Sequence, residues 1–488
     1  MVTSHVEQIS PGGITSATSA TSQRQIHVPP QFEKYSQMFQ SIFPSLETKS
    51  SRKWRTVKFC ILAVVCVLFA TAVFREIFVI DPLTGIYGLC VIFLIFTSFF
   101  ASYVRYRDPS KEANSGDLKV NLASETLSAS IIIATKNEPV LLRDAVYGCL
   151  GSSYGNIEIF LVNDGSTDDT GKVMDDLRSE NPDKVKVFHM AKNVGKRKAI
   201  AEAIKSGDIV GDIIILHDSD SIVSPTAIEK LMSVFSNPDA GAVTCYSRAL
   251  NGDENTLTKM QDTWYHGSFN IFKGMESSFG SVTCCSGVLS AYRREAITPC
   301  LDAWSNDTFL GEEFRPGDDR QLTSYVIGGN KYYLGKQYRT WKSYYCESAH
   351  TLTEIPSTFK KFMNQQIRWK KSWVRVFLFT APFYFRDRPL LSMAFYYIQM
   401  TLSLIGPIIT ARNLIVLPLM GEYMSAIAYI AGILFIALLF AVDFRFQNPK
   451  SGQRWVYRLL LALLSVNVLN FLVYYSMFTI KRSSWLTR

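Results

Sequence analysis

The nine cysteines contain no C-x-x-C spacing, and Cys60, Cys66 and Cys90 fall inside apolar segments. Neither a zinc site nor a secreted disulfide framework fits that usage, and a reduced compartment is the plain reading. No basic n-region followed by an apolar core opens the chain, so no cleaved signal peptide is expected. Charge is sparse, with 19% Asp, Glu, Lys and Arg against 48% hydrophobic residues in 488. That excludes a wholly disordered chain and a small disulfide scaffold. The net charge of +9 could serve nucleic acid, anionic lipid or an anionic substrate. Many of the basic residues flank apolar runs, however: Arg52, Lys53 and Arg55 before the first, Arg105, Arg107 and Lys111 after the second. This is positive-inside anchoring to a lipid bilayer, and no nucleic acid partner is expected.

A mean hydropathy of +0.09 resembles a soluble protein, but the apolar residues are segregated. They occupy 57–104 and 390–480, around a long polar centre. Residues 1–48, rich in Ser, Thr, Gln and Pro, read as a disordered tail. Residues 49–106 read as a transmembrane hairpin of Val57–Phe74 and Leu83–Val104. At about 1.5 Å per residue each can cross a hydrocarbon core about 30 Å thick. Residues 107–356 form the water-facing domain, placed with the tail on the cytoplasmic side by the flanking charge. Residues 357–388 mix aromatics with Lys and Arg at helical spacing and read as amphipathic interfacial helices. The region 389–480 holds spans at 390–411 and 424–442. The stretch 455–480, with Asn467 and Asn470 at its centre, reads as a broken or re-entrant element. Residues 481–488 form a cytosolic tail.

From Ser130 the pattern alternates short β-branched runs (SIIIAT, IEIFLV, KVKVFHM, DIIILH) with amphipathic stretches. This predicts an α/β fold, a mostly parallel sheet covered by helices on both faces. Ligands in such folds bind at the carboxyl ends of the strands. NDGSTDD follows IEIFLV there, and DSDS follows IIILH.

Asp218-Ser219-Asp220 can bind Mg²⁺ or Mn²⁺, which take oxygen ligands and share them with substrate phosphates; the alternative is a solvated turn. Asp164 can accept hydrogen bonds from a nucleoside, or simply form an Asp-Gly turn. Lys196, at a helix start, suits an anion or a solvated basic face. In Gly317-Asp318-Asp319-Arg320 a carboxylate can take a proton from an attacking hydroxyl, or pair with Arg320 in a loop. Gln365, Arg368 and Trp369 lie on the interfacial stretch. There Arg can grip a diphosphate and Trp can stack on a sugar, or both can belong to an aromatic membrane belt, as Trp373 and Phe377 are expected to.

The order of these motifs, followed by spans, resembles the processive family 2 glycosyltransferases, which include cellulose, chitin and hyaluronan synthases. CSGVLSAYRRE (285–295), NDTFLG (306–311), GDDRQLTSY (317–325) and NQQIRWKKSW (364–373) look most like a hyaluronan synthase. The closing FTIKRSSWLTR (478–488) resembles the Trp-Gly-Thr-Arg ending of that group. Val288, Leu486 and Ser221 depart from the group's usual Pro, Gly and Thr.

The resemblance implies a GT-A-type sheet domain inserted between membrane helices. It implies that Asp164 and Asp218 hold uridine and ribose, beside Thr135 and Glu138, with Lys196 on the nucleotide. Asp220, with Asp218, would hold Mg²⁺ or Mn²⁺. Asp319 would be the general base, flanked by Asp318 and Arg320. Gln365 and Arg368 would face the departing UDP, and Trp369 would seat the acceptor. Cys285 would lie near the nucleotide. Ser286, Gly287, Tyr292, Arg293 and Arg294 would lie on the acceptor side, and Trp485 and Arg488 in a tail closing over the site. The implied enzyme is an inverting plasma-membrane synthase with a cytosolic catalytic domain. It would polymerise hyaluronan from UDP-GlcNAc and UDP-GlcA and pass the nascent polysaccharide through its own spans. Gln399, Asn413 and Glu422 are the polar residues that could face that path. A chitin or chito-oligosaccharide synthase, another membrane polysaccharide synthase and a transporter with a cytosolic domain are the alternatives. The sequence favours neither a monomer nor a homo-oligomer.

Overall fold

The computed structural model describes residues 31–43, 60, 63–64, 67, 70–71, 81–111 and 127–482. The expected span Val57–Phe74 therefore lies largely outside the described residues, and Trp485 and Arg488 lie wholly outside them.

The central domain is built on β1 (Ala129–Thr135), β2 (Ile157–Asn163), β3 (Val185–His189), β4 (Ile213–His217), β5 (Ser221–Val223), β6 (Ala240–Ala249) and β7 (Leu289–Arg293). A two-stranded ribbon, β8 (Thr308–Phe309) with β9 (Glu312–Glu313), and the long β10 (Lys342–Thr353) follow. The main sheet has the order β3-β2-β1-β4-β7-β6-β10-β5. Its pairs are parallel except where β7 runs against β4 and β6, and β5 against β10. All seven residues of β1 are buried, as a strand covered on both faces requires. Ile131 and Ile133 point to one face, among Leu142, Met174 and Leu231 from three helices. Ile132 and Ala134 point to the other, against Ala199 and Ile200 of the helix Lys196–Lys205. This is the mostly parallel sheet expected from the alternation, in the GT-A-like form that the resemblance implies.

One part of the expected disordered tail is structured. Gln31–Ile42 is a helix whose Tyr35, Met38, Phe39 and Ile42 repeat at helical spacing and pack on the central domain. Tyr35 donates a 2.5 Å hydrogen bond to Asp144. Phe43 stacks on His350 at 4.1 Å and meets Tyr246 edge-on at 5.2 Å. The Ser, Thr and Gln content around this short amphipathic face conceals it.

Four helices among the described residues are long and apolar enough to cross a membrane: Pro82–Lys111, Leu390–Leu419, Tyr423–Gln447 and Arg454–Phe478. They flank the central domain on both sides in the chain, as befits an integral membrane protein. The last is of spanning length as a whole but is interrupted where the sequence reading expects a break: α-helix Tyr457–Leu464, a π-helical turn at Ser465–Leu469 and, after two turn residues, α-helix Leu472–Phe478. Its first end is tied to the central domain and its last to the helix Phe359–Tyr384. Arg454 pairs with Asp253 and Asp262, and beyond the other end the Lys371 ammonium donates to the Arg482 carbonyl at 2.7 Å. Buried polar groups join the other spans to the domain. The Arg248 guanidinium grips Asp262 through two hydrogen bonds of 2.8 and 2.7 Å and donates to Asn448 at 2.7 Å. His266 lies 3.1 Å from Asp443.

The helix Phe359–Tyr384 starts at an N-cap provided by Thr358. It is less a free interfacial helix than a wedge between domain and spans. Phe362 packs with Leu469 and Leu472, and Val374 with Phe314, Val473 and Ile480.

Candidate active site

A cavity of about 740 Å³ opens at the carboxyl ends of β1, β2 and β4. Thr135, Glu138, Asp164, Lys196, Asp218, Asp220, Ser286, Gly287, Asp318, Asp319, Arg320, Gln365, Arg368 and Trp369 all line it. The structure thus gathers residues spread over more than two hundred positions of sequence into one space.

Asp164 directly follows β2 and opens the turn after it. Its carboxylate accepts from the backbone N–H of Val194 at 2.7 Å and of Gly195 at 3.0 Å, and from the Asn193 amide at 2.6 Å. It therefore fastens the loop that leads into Lys196. Burial pushes its carboxyl above the usual range, against those hydrogen bonds. Gly165 lies at φ +64°, where a Cβ would sit 2.5 Å from the Asn193 nitrogen. The close approach of the two loops requires glycine there.

Glu138 accepts from Ser219 at 2.5 Å and from Thr135 at 3.4 Å, which ties the first loop to the D-x-D. Asp218 pairs with the Lys196 ammonium. Burial opposes that charge, but Asp218 and Asp318 together hold the ammonium well above its ordinary range. Asp220 accepts from Ser221 at 3.0 Å and Thr353 at 3.5 Å. Behind the motif, His217 faces the Val288 carbonyl at 2.7 Å, and burial lowers its pKa. That favours the neutral ring.

Asp319 accepts from the backbone N–H of Arg320 at 2.7 Å and of Gly287 at 3.2 Å, and from the Cys284 thiol at 3.6 Å. These fix the carboxylate's direction at the start of the helix Asp318–Ser324. Burial pushes the neighbouring Asp318 up, opposed by Lys196 and reinforced by Asp319. Gly317, in front of the pair, has φ +74°, and a Cβ on it would fall 1.7 Å from Ser372 Oγ. The acidic turn is pressed directly against the helix that carries Gln365, Arg368 and Trp369.

Four residues expected in the site stand outside the cavity lining. Cys285 is fully buried, with its N–H bonded to Thr323; its neighbour Cys284 lines the cavity instead. Tyr292 lies inside the sheet, its hydroxyl on the Cys285 carbonyl at 3.2 Å. Arg293 and Arg294 bond carbonyls of Phe235, Ala240 and Gly211. The reason is strand direction. β7 runs antiparallel to β4, pairing Leu289 with His217 but Arg293 with Ile213, so it carries its last residues to the opposite edge of the sheet.

Other cavity residues have no assigned site role in the sequence reading. Lys136, Trp264, Lys273, Cys284, Arg315, Lys370 and Trp373 all line it. Lys273 donates to the Cys284 carbonyl and Ser286 hydroxyl, both at 2.6 Å, and so fixes the loop beside Asp319. Trp373, expected in a membrane belt, stacks on Phe377 at 6.1 Å and faces the cavity as well. A second cavity of about 350 Å³ lies among the spans and shares Trp264, Gln366 and Lys370 with the first. Gln399, Asn413 and Glu422 do not line it. Asn413 instead pins two helices by donating to Thr84 at 2.8 Å.

Residues 130–299 match the family model for glycosyl transferase family 2. The chain is 29% identical to a hyaluronan synthase of Streptococcus pyogenes serotype M3, over 88% of this chain and 96% of that one. It is 30% identical to an N-acetylglucosaminyltransferase of Rhizobium leguminosarum bv. viciae, over 52% and 58% of the two chains. Among solved structures, a mannosyltransferase from Pyrobaculum calidifontis with GDP-Man and Mn²⁺ aligns over 78% of this chain and 99% of its own, at 16% identity and a TM-score of 0.45. The sheet domain is a family 2 glycosyltransferase domain, and the chain that carries it between membrane helices is a hyaluronan synthase-like glycosyltransferase.

Proposed function

We propose that the protein polymerises hyaluronan from UDP-GlcNAc and UDP-GlcA at the cytosolic membrane face and passes the product between its own spans. The observation that carries this reading is the juxtaposition in one cavity of Asp319, the Asp218–Asp220 pair and the Arg368–Trp369 helix face, next to a second cavity among apolar helices.

Asp319 takes the proton from the acceptor hydroxyl as that oxygen attacks the anomeric carbon of the donor. The bond from that carbon to the UDP oxygen breaks with its electron pair on UDP, and a single displacement inverts the configuration. Arg368 faces the charge that develops on the departing diphosphate. Glu138, Thr135 and Asp164 frame the nucleoside end, while Trp369 offers a face for the acceptor sugar. Asp220 and Asp218 are an all-oxygen donor pair suited to Mg²⁺ or Mn²⁺, which keep few protein ligands and complete their shell with phosphate. Because Asp218 is already paired with Lys196, Asp220 would be the principal ligand. When bound, the ion would supply neutralisation of diphosphate charge.

The donor requirement tests the reading. Purified protein should release UDP rapidly only when both donors are present, and its product should be digested by hyaluronidase. Polymer from UDP-GlcNAc alone would move the assignment to a chitin or chito-oligosaccharide synthase.

A further inference from the structure

We propose that Lys370, at the neck between the two cavities, receives a carboxylate of the polymer as it leaves the catalytic cavity. The inference rests on the polymerase reading above and deepens it: the chain that passes is a polyanion containing a uronic acid.

Three residues line both cavities, Trp264, Gln366 and Lys370. Trp264 stands 5.5 Å from Trp369, ring to ring, so apolar faces suited to sugar rings border the neck. Beyond it, Lys370 is the single charged residue among the described residues lining the cavity between the spans. The rest are apolar or aromatic side chains, glycines, hydroxyls and amides. A neutral saccharide needs nothing more than these.

Lys370 has no hydrogen bond or ion pair with any described residue, whereas the adjacent Lys371 is spent on the Arg482 carbonyl. Burial lowers the ammonium's pKa, and the nearby Arg320 guanidinium adds to that. Lys370 is half-buried on the cavity wall, and a half-buried cation without a partner gains from an anion that comes to it. A carboxylate moving from water into a duct between apolar helices has the mirror-image problem. Pairing the two at the neck relieves both. A glucan or chitin chain would leave Lys370 unpaired at every step.

The test uses the full-length protein in lipid nanodiscs, with wild type, K370R and the neutral variants K370Q and K370T. Product length is read on gels and donor kinetics from UDP release. With both donors, the neutral variants should yield chains several-fold shorter, with KM for either donor within about two-fold of wild type. K370R should restore length. The two neutral variants are read alike, so misfolding of one leaves the other. Unchanged length in a neutral variant, with an acidic polymer still made, overturns the carboxylate site alone. Preserved length with a donor KM raised about ten-fold also overturns it and assigns Lys370 to the nucleotide. Polymer made by wild type from an uncharged donor sugar alone overturns the polymer assignment and this inference together.

Discussion

Trp264 and Trp369 face each other at 5.5 Å with their planes 31° apart, one on the helix Thr256–Gly267 and the other on the helix Phe359–Tyr384. Both helices are fastened to membrane segments, the first through Asp262 and His266, the second through Phe362 and Val374. The aromatic pair therefore stands where the catalytic domain and the spans meet. Trp264→Ala should reduce polymer length and kcat while leaving UDP affinity near wild type, because the ring borders the acceptor path and not the nucleoside end. Equal loss of UDP binding in calorimetry would show that the ring supports the nucleotide pocket instead.

The Asp319 carboxylate is held by three donors and faces the shared cavity. Asp319→Asn keeps the size and most of the hydrogen bonding but removes the base. Transfer should fall by at least about 10²-fold, while UDP still binds in an equilibrium assay. Retained turnover would remove Asp319 from the role of base.

Chelation offers a separate check on the D-x-D. Activity should vanish in EDTA and return with Mn²⁺ or Mg²⁺, and Asp220→Asn should need far more metal for half-maximal rate. Turnover that persists in chelator would leave Asp220 a structural partner of Ser221 and Thr353.

Asp262 gives a pH-dependent prediction. Burial alone would raise its carboxyl, but Arg248 first and then Arg454 hold it well below the usual carboxylate range. Its folded pKa is thus depressed. The stability it contributes is complete above the unfolded value of about 4 and is lost as pH falls below that. Asp262→Asn leaves Arg248 buried without its charge partner and should cost about 3–5 kcal/mol. Thermal midpoints at pH 7 should show that drop, and the variant's midpoint should respond less to acid below about pH 4 than the wild type's.

Phe43 is 6% exposed and stacked on His350. Phe43→Ala should destabilise the docked N-terminal helix by roughly 3 kcal/mol. Limited proteolysis should then cut within 31–43 faster than in wild type. Unchanged protection would mean that Tyr35 and Phe39 suffice to hold the helix.

The parts legible in the sequence were those that depend on local pattern. β-branched runs alternating with amphipathic stretches announced a sheet with both faces covered, and carboxylates directly after IEIFLV and IIILH announced its ligand edge. The motifs of the family resemblance then brought Asp319, Arg368 and Trp369 to that same edge. Strand direction was not legible, and the antiparallel β7 took Tyr292, Arg293 and Arg294 to the far edge. Nor were Trp264 and Lys273, whose positions depend on helices meeting from distant parts of the chain. The helix Gln31–Ile42 was hidden because composition averaged four spaced apolar residues into a polar tail.

The contact of Gly317 with Ser372 has a mechanical consequence. With no room for even one carbon between them, the acidic turn and the wedge helix lie in direct contact. Any side chain at position 317 would push the turn away from Ser372, and Asp318 and Asp319, the next two residues, would shift with it.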